Sequence, residues 1–96
     1  MAVGTAPQGA PPWWVYLIRC GDDSLYCGIA RDVDRRLQQH TTGRGAHYTR
    51  GRGPLVVVYR EAALDRGRAL RRERAIKRLS RDDKEALVRG GGRDGR

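Results

Sequence analysis

The sequence predicts a small α+β domain, ordered β-β-α-β-α-α, with a three-stranded antiparallel sheet flanked by helices. Three observations lead there. Two aromatic and β-branched runs, Trp13–Cys20 (WWVYLIRC) and Leu25–Ala30 (LYCGIA), are separated by the turn residues Gly21–Ser24 (GDDS) and read as a hairpin. A third apolar run, Leu55–Tyr59 (LVVVY), follows Pro54 and has strand length. The intervening segments each open on a capping residue, Asp32, Asp65 and Ser80, which is how a helix announces its start.

Element by element, the first strand is nearly continuous in apolar residues, the pattern of a strand buried on both faces. The second carries Gly28, and a glycine inside a strand marks a bulge or a close approach. A helix should run from Asp32 to about His40 or Thr41, with Asp34 near the positive end of its dipole. Residues 43–53 (GRGAHYTRGRG) read as a glycine-rich basic loop. Asp65 caps a helix over Arg66–Leu79, and Ser80-Arg81-Asp82-Asp83 has the form of a capping box opening a last helix to Val88. Residues 1–12 have no apolar period and are expected to be a disordered lead. Residues 89–96 (RGGGRDGR) are expected to be a flexible Gly/Arg tail, leaving 13–88 as the folded unit.

A chain of 96 residues makes one domain, and it buries only about 60–65% of its unfolded surface. No run approaches the roughly 18 apolar residues of a membrane span, and the first residues lack the charged and apolar regions of a secretory signal. Two cysteines, Cys20 and Cys27, are too few for a four-thiolate zinc site. The chain therefore reads as cytoplasmic, with two reduced, buried thiols. Charge is the strongest compositional feature. Lys plus Arg number 20 against 11 acids, a net charge of +9. The excess is lopsided: residues 1–48 hold five basic and four acidic groups, residues 49–96 fifteen and seven. Eighteen Arg against two Lys reflects composition bias, but bias does not explain the excess of base over acid. A one-sided basic surface is the footprint of a polyanion partner, nucleic acid first.

Two residues sit where their chemistry is unexpected. On the first helix Val33, Arg36, Leu37 and His40 share one face, so Arg36 and His40 turn inward with the apolar pair. A guanidinium at a core margin needs an anion, or else lays its stem on the core and reaches water. On the second long helix Glu73 is the single acid among eight basic residues between Asp65 and Asp82, on or beside the apolar stripe. It could hold a hard cation, but helical spacing alone favours an ion pair with Lys77.

Taken together, Trp14-Val15-Tyr16 followed ten residues later by Tyr26-Cys27-Gly28 resembles the paired motifs of the GIY-YIG nuclease superfamily. Arg36 in RDVDRRLQQH, His40 at its end, Gly45-Ala46-His47-Tyr48-Thr49-Arg50 and Glu73 in ALRRERAIK continue the resemblance over nearly the whole folded unit. It is most similar to the small stand-alone bacterial members, themselves similar to the nuclease domain of eukaryotic structure-specific resolvases.

The resemblance implies phosphodiester hydrolysis with one divalent ion, Mg²⁺ or Mn²⁺, held by Glu73. It implies that Arg36 grips the scissile phosphate and that Tyr26 accepts the proton of the attacking water. Tyr16 would orient phosphate or water, and His40 would be an alternate base or phosphate ligand. Gly28 would let backbone approach the substrate, while Arg44, His47, Arg50 and Arg52 would grip flanking phosphates. The implied partner is nucleic acid, DNA ahead of RNA, with a protein partner as one route to targeting. Alternative readings are a non-catalytic nucleic-acid-binding module and a basic protein–protein adaptor. Two departures stand out. Ile29 replaces the Lys that follows the second glycine in the excision-repair branch, and the chain has no Asn to supply the homing-endonuclease position. It also lacks the cysteines of the zinc module that accompanies the eukaryotic relatives.

For one site to form, Tyr16 and Tyr26 must share a face of the hairpin. Paired residue numbers in an antiparallel ladder have a constant sum. A four-residue turn pairing Cys20 with Leu25 would put the tyrosines on opposite faces, so an odd turn length or a bulge is expected.

Overall fold

The computed structural model describes residues 13–90; residues 1–12 and 91–96, most of the expected lead and tail, lie outside the described residues. The strands are β1 (Trp13–Arg19), β2 (Leu25–Ala30) and β3 (Val56–Ala63), and the helices α1 (Val33–Thr41), α2 (Arg66–Lys77) and α3 (Arg81–Arg89). A single turn of 3₁₀ helix, His47–Thr49, punctuates the glycine-rich loop. The α+β order is the expected one, in an antiparallel sheet of order β2-β1-β3.

Central β1 explains its own sequence: Val15, Tyr16, Leu17 and Ile18 are all buried because both sides of the sheet are covered. One face packs Tyr16, Ile18, Trp14 and Tyr26 beneath Val33 and Leu37 of α1. The other packs Val15, Leu17, Cys27 and Tyr59 against Ala69 and Ile76 of α2, with Leu79, Leu87 and Val88 alongside. Each helix starts where its capping residue stands. Asp32 accepts from the Arg35 N–H at 3.0 Å, Asp65 from Arg68 at 2.7 Å and Ser80 from Asp83 at 3.1 Å. Such a cap stabilises a helix by about 1 kcal/mol. The α3 helix is tied down by Arg19, which forks onto Glu85 at 2.9 and 2.6 Å.

Four elements end elsewhere than expected. The first strand ends at Arg19, so the hairpin connection is the five residues Cys20–Ser24. Cys20 has left the ladder for the turn: its N–H donates to Ser24 O at 2.9 Å, and its carbonyl accepts from the Asp23 N–H at 2.8 Å. Asp23 takes the left-handed conformation (φ 70°) that lets the chain reverse. The third strand runs on to Ala63, past Arg60 and Glu61, because both charges are met. Glu61, although buried, accepts from Tyr59 Oη and, at 2.7 Å, from Arg72 Nε, while Arg60 lies over the Trp14 ring. The α2 helix ends at Lys77 rather than Leu79, and α3 reaches Arg89, one residue into the stretch expected to be tail. Both cysteines are free and buried, and among the described residues no helix is long and apolar enough to cross a membrane.

Candidate active site

The register decides the site. Pairing Tyr16 with Gly28 and Ile18 with Tyr26 makes every sum even, so the two tyrosines point to the same side. The odd turn length supplies this. Opposite Tyr16, a Cβ at position 28 would lie 2.5 Å from the phenol oxygen. Glycine is required there to make room for Tyr16, so position 28 would influence a substrate through that phenol.

His40, in the last turn of α1, swings inward over the tyrosines and is 2% exposed. Its Nε2 shares a hydrogen bond with the Tyr16 hydroxyl at 3.0 Å, and its ring meets the Tyr26 ring edge-on at 5.2 Å. Nδ1 faces the loop, 2.9 Å from Thr49 Oγ1 and 3.3 Å from the Ala46 N–H, which donates to it. Thr49 is as buried as His40 and also lies 2.9 Å from the Ala46 carbonyl. The single hydroxyl proton of Thr49 can therefore point to Ala46 O or to Nδ1, so the imidazole has a partner whether or not Nδ1 carries a proton. A Cβ at position 45 would stand 2.2 Å from Nδ1, which is why a glycine begins this stretch.

The remaining groups arrive from two helices. Arg36 donates to Gln39 Oε1 at 2.8 Å and has no ion pair with a carboxylate among the described residues. Its charge bears on Tyr16, Tyr26 and His40 together. Glu73 belongs to α2, which covers the opposite face but packs against the edge strand β2. Its carboxylate, 15% exposed, makes the expected pair with Lys77 at 3.4 Å and still lies within electrostatic reach of Tyr26.

Electrostatics sort these groups by role. Burial, then the neighbouring Tyr26, pushes the Tyr16 phenol up to about 12. Burial also raises Tyr26, against the pull of Lys77 and Arg36. Burial, then Arg36, holds His40 below the ordinary imidazole value, so it is neutral at pH 7. Cys27 is pushed up to about 12 by burial and the nearby Glu73, which leaves an unreactive thiol.

The structure thus brings Tyr16, Tyr26, Arg36 and His40 together, with Glu73 within electrostatic reach of Tyr26 alone among them. Arg44, His47 and Arg50 stay on the exposed loop. Arg52 does not project freely: it pairs with Asp22 of the hairpin turn and lies 4.4 Å over the Tyr48 ring. Tyr48 in turn stacks on Tyr26, with centroids 5.7 Å apart and planes 27° from parallel. Neither Tyr48 nor Thr49 stood out in the sequence. An aromatic inside a Gly/Arg loop was a signal for the first; a lone threonine offers none for the second.

Among the described residues no three His, Cys, Asp or Glu side chains cluster as a metal cage. A lone, partly buried carboxylate still fits Mg²⁺ or Mn²⁺, since hard ions of this kind keep several waters and take one or two carboxylates plus substrate phosphate oxygens.

The family model described as the GIY-YIG catalytic domain matches residues 12–86, which contain all of these side chains. The chain belongs to the GIY-YIG family. This family is one of nucleases. The GIY-YIG chain is 52% identical over 80 residues to the UPF0213 protein VC_A0739 of Vibrio cholerae, covering 82% of this chain and 79% of that one. To the UPF0213 protein YhbQ of Escherichia coli K12 it is 49% identical over 80 residues, 83% and 80% of the two chains. Two solution NMR structures are similar. The UPF0213 protein BH0048 of Bacillus halodurans has a TM-score of 0.52 at 47% identity, over 79% of this chain and 81% of that one. The protein EF2693 of E. faecalis has a TM-score of 0.56 at 34% identity, over 80% and 82%.

Proposed function

We propose that this GIY-YIG protein is a divalent-metal-dependent endonuclease that hydrolyses phosphodiester bonds in DNA. The observation that carries the reading is Arg36, a cation with no carboxylate ion pair among the described residues, set against two phenols and a neutral imidazole. Arg36 therefore lacks an anionic partner among the described residues, and a phosphate supplies one. The net charge of +9 supports a polyanionic partner.

In this reading Arg36 holds the scissile phosphate by charge-assisted hydrogen bonds that strengthen as negative charge builds. Glu73 would hold Mg²⁺ or Mn²⁺, which when bound offsets charge on the phosphate and the leaving oxygen. A water attacks phosphorus, the bond to the leaving oxygen breaks, and the water's proton must go to a base. A phenol at about 12 is a poor terminus for it. We place the terminus on His40, in the tautomer whose proton sits on Nδ1 and is donated to Thr49 Oγ1, the longer Ala46 N–H contact being given up. Tyr16 takes the water's proton as its own passes to the free Nε2, 3.0 Å away. Tyr26, which the family resemblance puts in the base role, instead orients the water between Arg36 and Glu73.

The test is a panel of labelled duplex, fork, flap, single-stranded and RNA substrates with Mg²⁺ or Mn²⁺. Cleavage of at least one DNA by wild type, and none by Glu73→Gln, is the expected result. Salt-sensitive binding with no cleavage by any preparation would make the protein a non-catalytic binding module instead.

A further inference from the structure

The column Tyr26–Tyr48–Arg52 leads from the candidate site out to solvent. Tyr48 is 40% exposed, one of the few large hydrophobic side chains so exposed. Its ring is not loose: it stacks on Tyr26 and also carries the Arg52 guanidinium 4.4 Å from its centroid. Arg52 is the outer layer, held by an ion pair at the surface. Its side chain is 40% exposed and its partner Asp22 44%, and ion pairs between exposed groups hold by well under a factor of ten. A DNA phosphate competes directly with Asp22 for that guanidinium. Exposed Arg44 and Arg50 stand on the same loop and make no ion pair among the described residues. Phosphates bound there would carry a strand past the column.

We propose that Tyr48 and Arg52 form a stacking subsite for an unpaired DNA base next to the scissile phosphate, which makes branched or frayed DNA the preferred substrate class. A flat ring fixed from below by Tyr26 offers a pre-set surface, and stacking tolerates any base because every base has a π-face. Arg52 serves either by layering onto the base or by exchanging Asp22 for the adjacent phosphate. A base inside an intact duplex is stacked on its neighbours and cannot reach a side-chain ring. The subsite therefore selects nucleotides at a junction, flap or end. This rests on the nuclease reading above, because it names the substrate of the same site.

The experiment separates the two readings by measuring binding in EDTA, where no cleavage is needed. Wild type, Tyr48→Ala, Tyr48→Phe and Arg52→Ala are titrated against an intact duplex and a fork of equal length. The fork carries 2-aminopurine at its first unpaired position, whose fluorescence falls when it stacks on an aromatic ring. Wild type should bind the fork more tightly than the duplex and quench the probe. Tyr48→Ala should lose about ten-fold or more on the fork, lose the quenching, and bind duplex as wild type does. Tyr48→Phe should keep both properties, since the ring survives. Arg52→Ala should lose part of the fork preference. Tyr48 is exposed, so its removal should leave the fold intact, and the hydrogen-exchange pattern checks this. Equal losses on fork and duplex, no loss on either, or a wild-type preference for duplex would each overturn the subsite. Cleavage that persists in Tyr48→Ala with unchanged fork preference would leave the nuclease reading standing and this one refuted.

Discussion

The Tyr16 hydroxyl and His40 Nε2 meet at 3.0 Å, with the imidazole 2% exposed. Desolvation, then Arg36, holds this histidine below its ordinary value, so it takes up its proton only below that value. The acid limb of cleavage should accordingly fall below pH 6.5, the unperturbed imidazole value. Stability has the same sign. Below the unfolded value the unfolded chain binds a proton that folded His40 refuses, so acidification through that window destabilises the fold. Rate and melting temperature measured from pH 4 to 8 check both, and His40→Gln should abolish the limb and lower the rate. A limb at or above pH 6.5 would remove His40 from the base role.

Thr49 supports His40 from behind, and the consequence is measurable. When the imidazole is cationic, Nδ1–H needs an acceptor, and the Thr49 oxygen 2.9 Å away is positioned to accept while its own proton goes to the Ala46 carbonyl. Thr49→Val keeps the shape and removes the acceptor. The His40 titration, followed by imidazole ¹⁵N shifts, should fall by about one further pH unit. Thr49→Ser should restore it. A valine variant that melts early but titrates like wild type would show that Thr49 only packs.

Glu73→Gln should abolish metal-dependent cleavage while DNA affinity in EDTA stays within about two-fold. The amide keeps the size of a side chain that is 15% exposed, but loses the charge that would hold a divalent ion. Arg36→Ala should lower both rate and affinity, and Tyr26→Phe the rate alone. Losing a pre-organised charged group of this kind costs about 10²–10³ in rate. Equal rates for Glu73→Gln and wild type would place the ion elsewhere.

Arg44 and Arg50 are exposed on the glycine-rich loop without carboxylate partners among the described residues. Replacing both with Ala should weaken binding to all DNA sequences alike and flatten the salt dependence by about one to two units of slope. Arg52→Ala should flatten it less, since Arg52 already pairs with Asp22. Isotherms from 50 to 300 mM salt report the slope, and an unchanged slope in the double variant would free the loop of any phosphate contact.

Sequence alone determined the element order, because periodicity and capping are local. Asp32, Asp65 and Ser80 begin their helices through a side chain and an N–H three residues on, contacts that no distant residue alters. It also determined that Arg36 and His40 turn inward, since they share a helical face with Val33 and Leu37. The constraint on the hairpin was legible too: only an odd turn could unite the tyrosines. The turn itself was not, because whether Cys20 closes the ladder or opens the reversal depends on Asp23 accepting a left-handed conformation under the strain of the whole hairpin. Glu73 was legible only as an anomaly. Its pairing with Lys77 is a local property of helical spacing, whereas its reach to Tyr26 exists because β2 is an edge strand that α2 overlaps. Continuation of β3 through Glu61 depended on Arg72, eleven positions away on another element. Thr49 and Tyr48 became part of the site only when the loop folded back over α1 and β2. What the tertiary structure decided was which polar groups found partners, since burial makes an unpaired polar group costly and the available partner is set by distance in space.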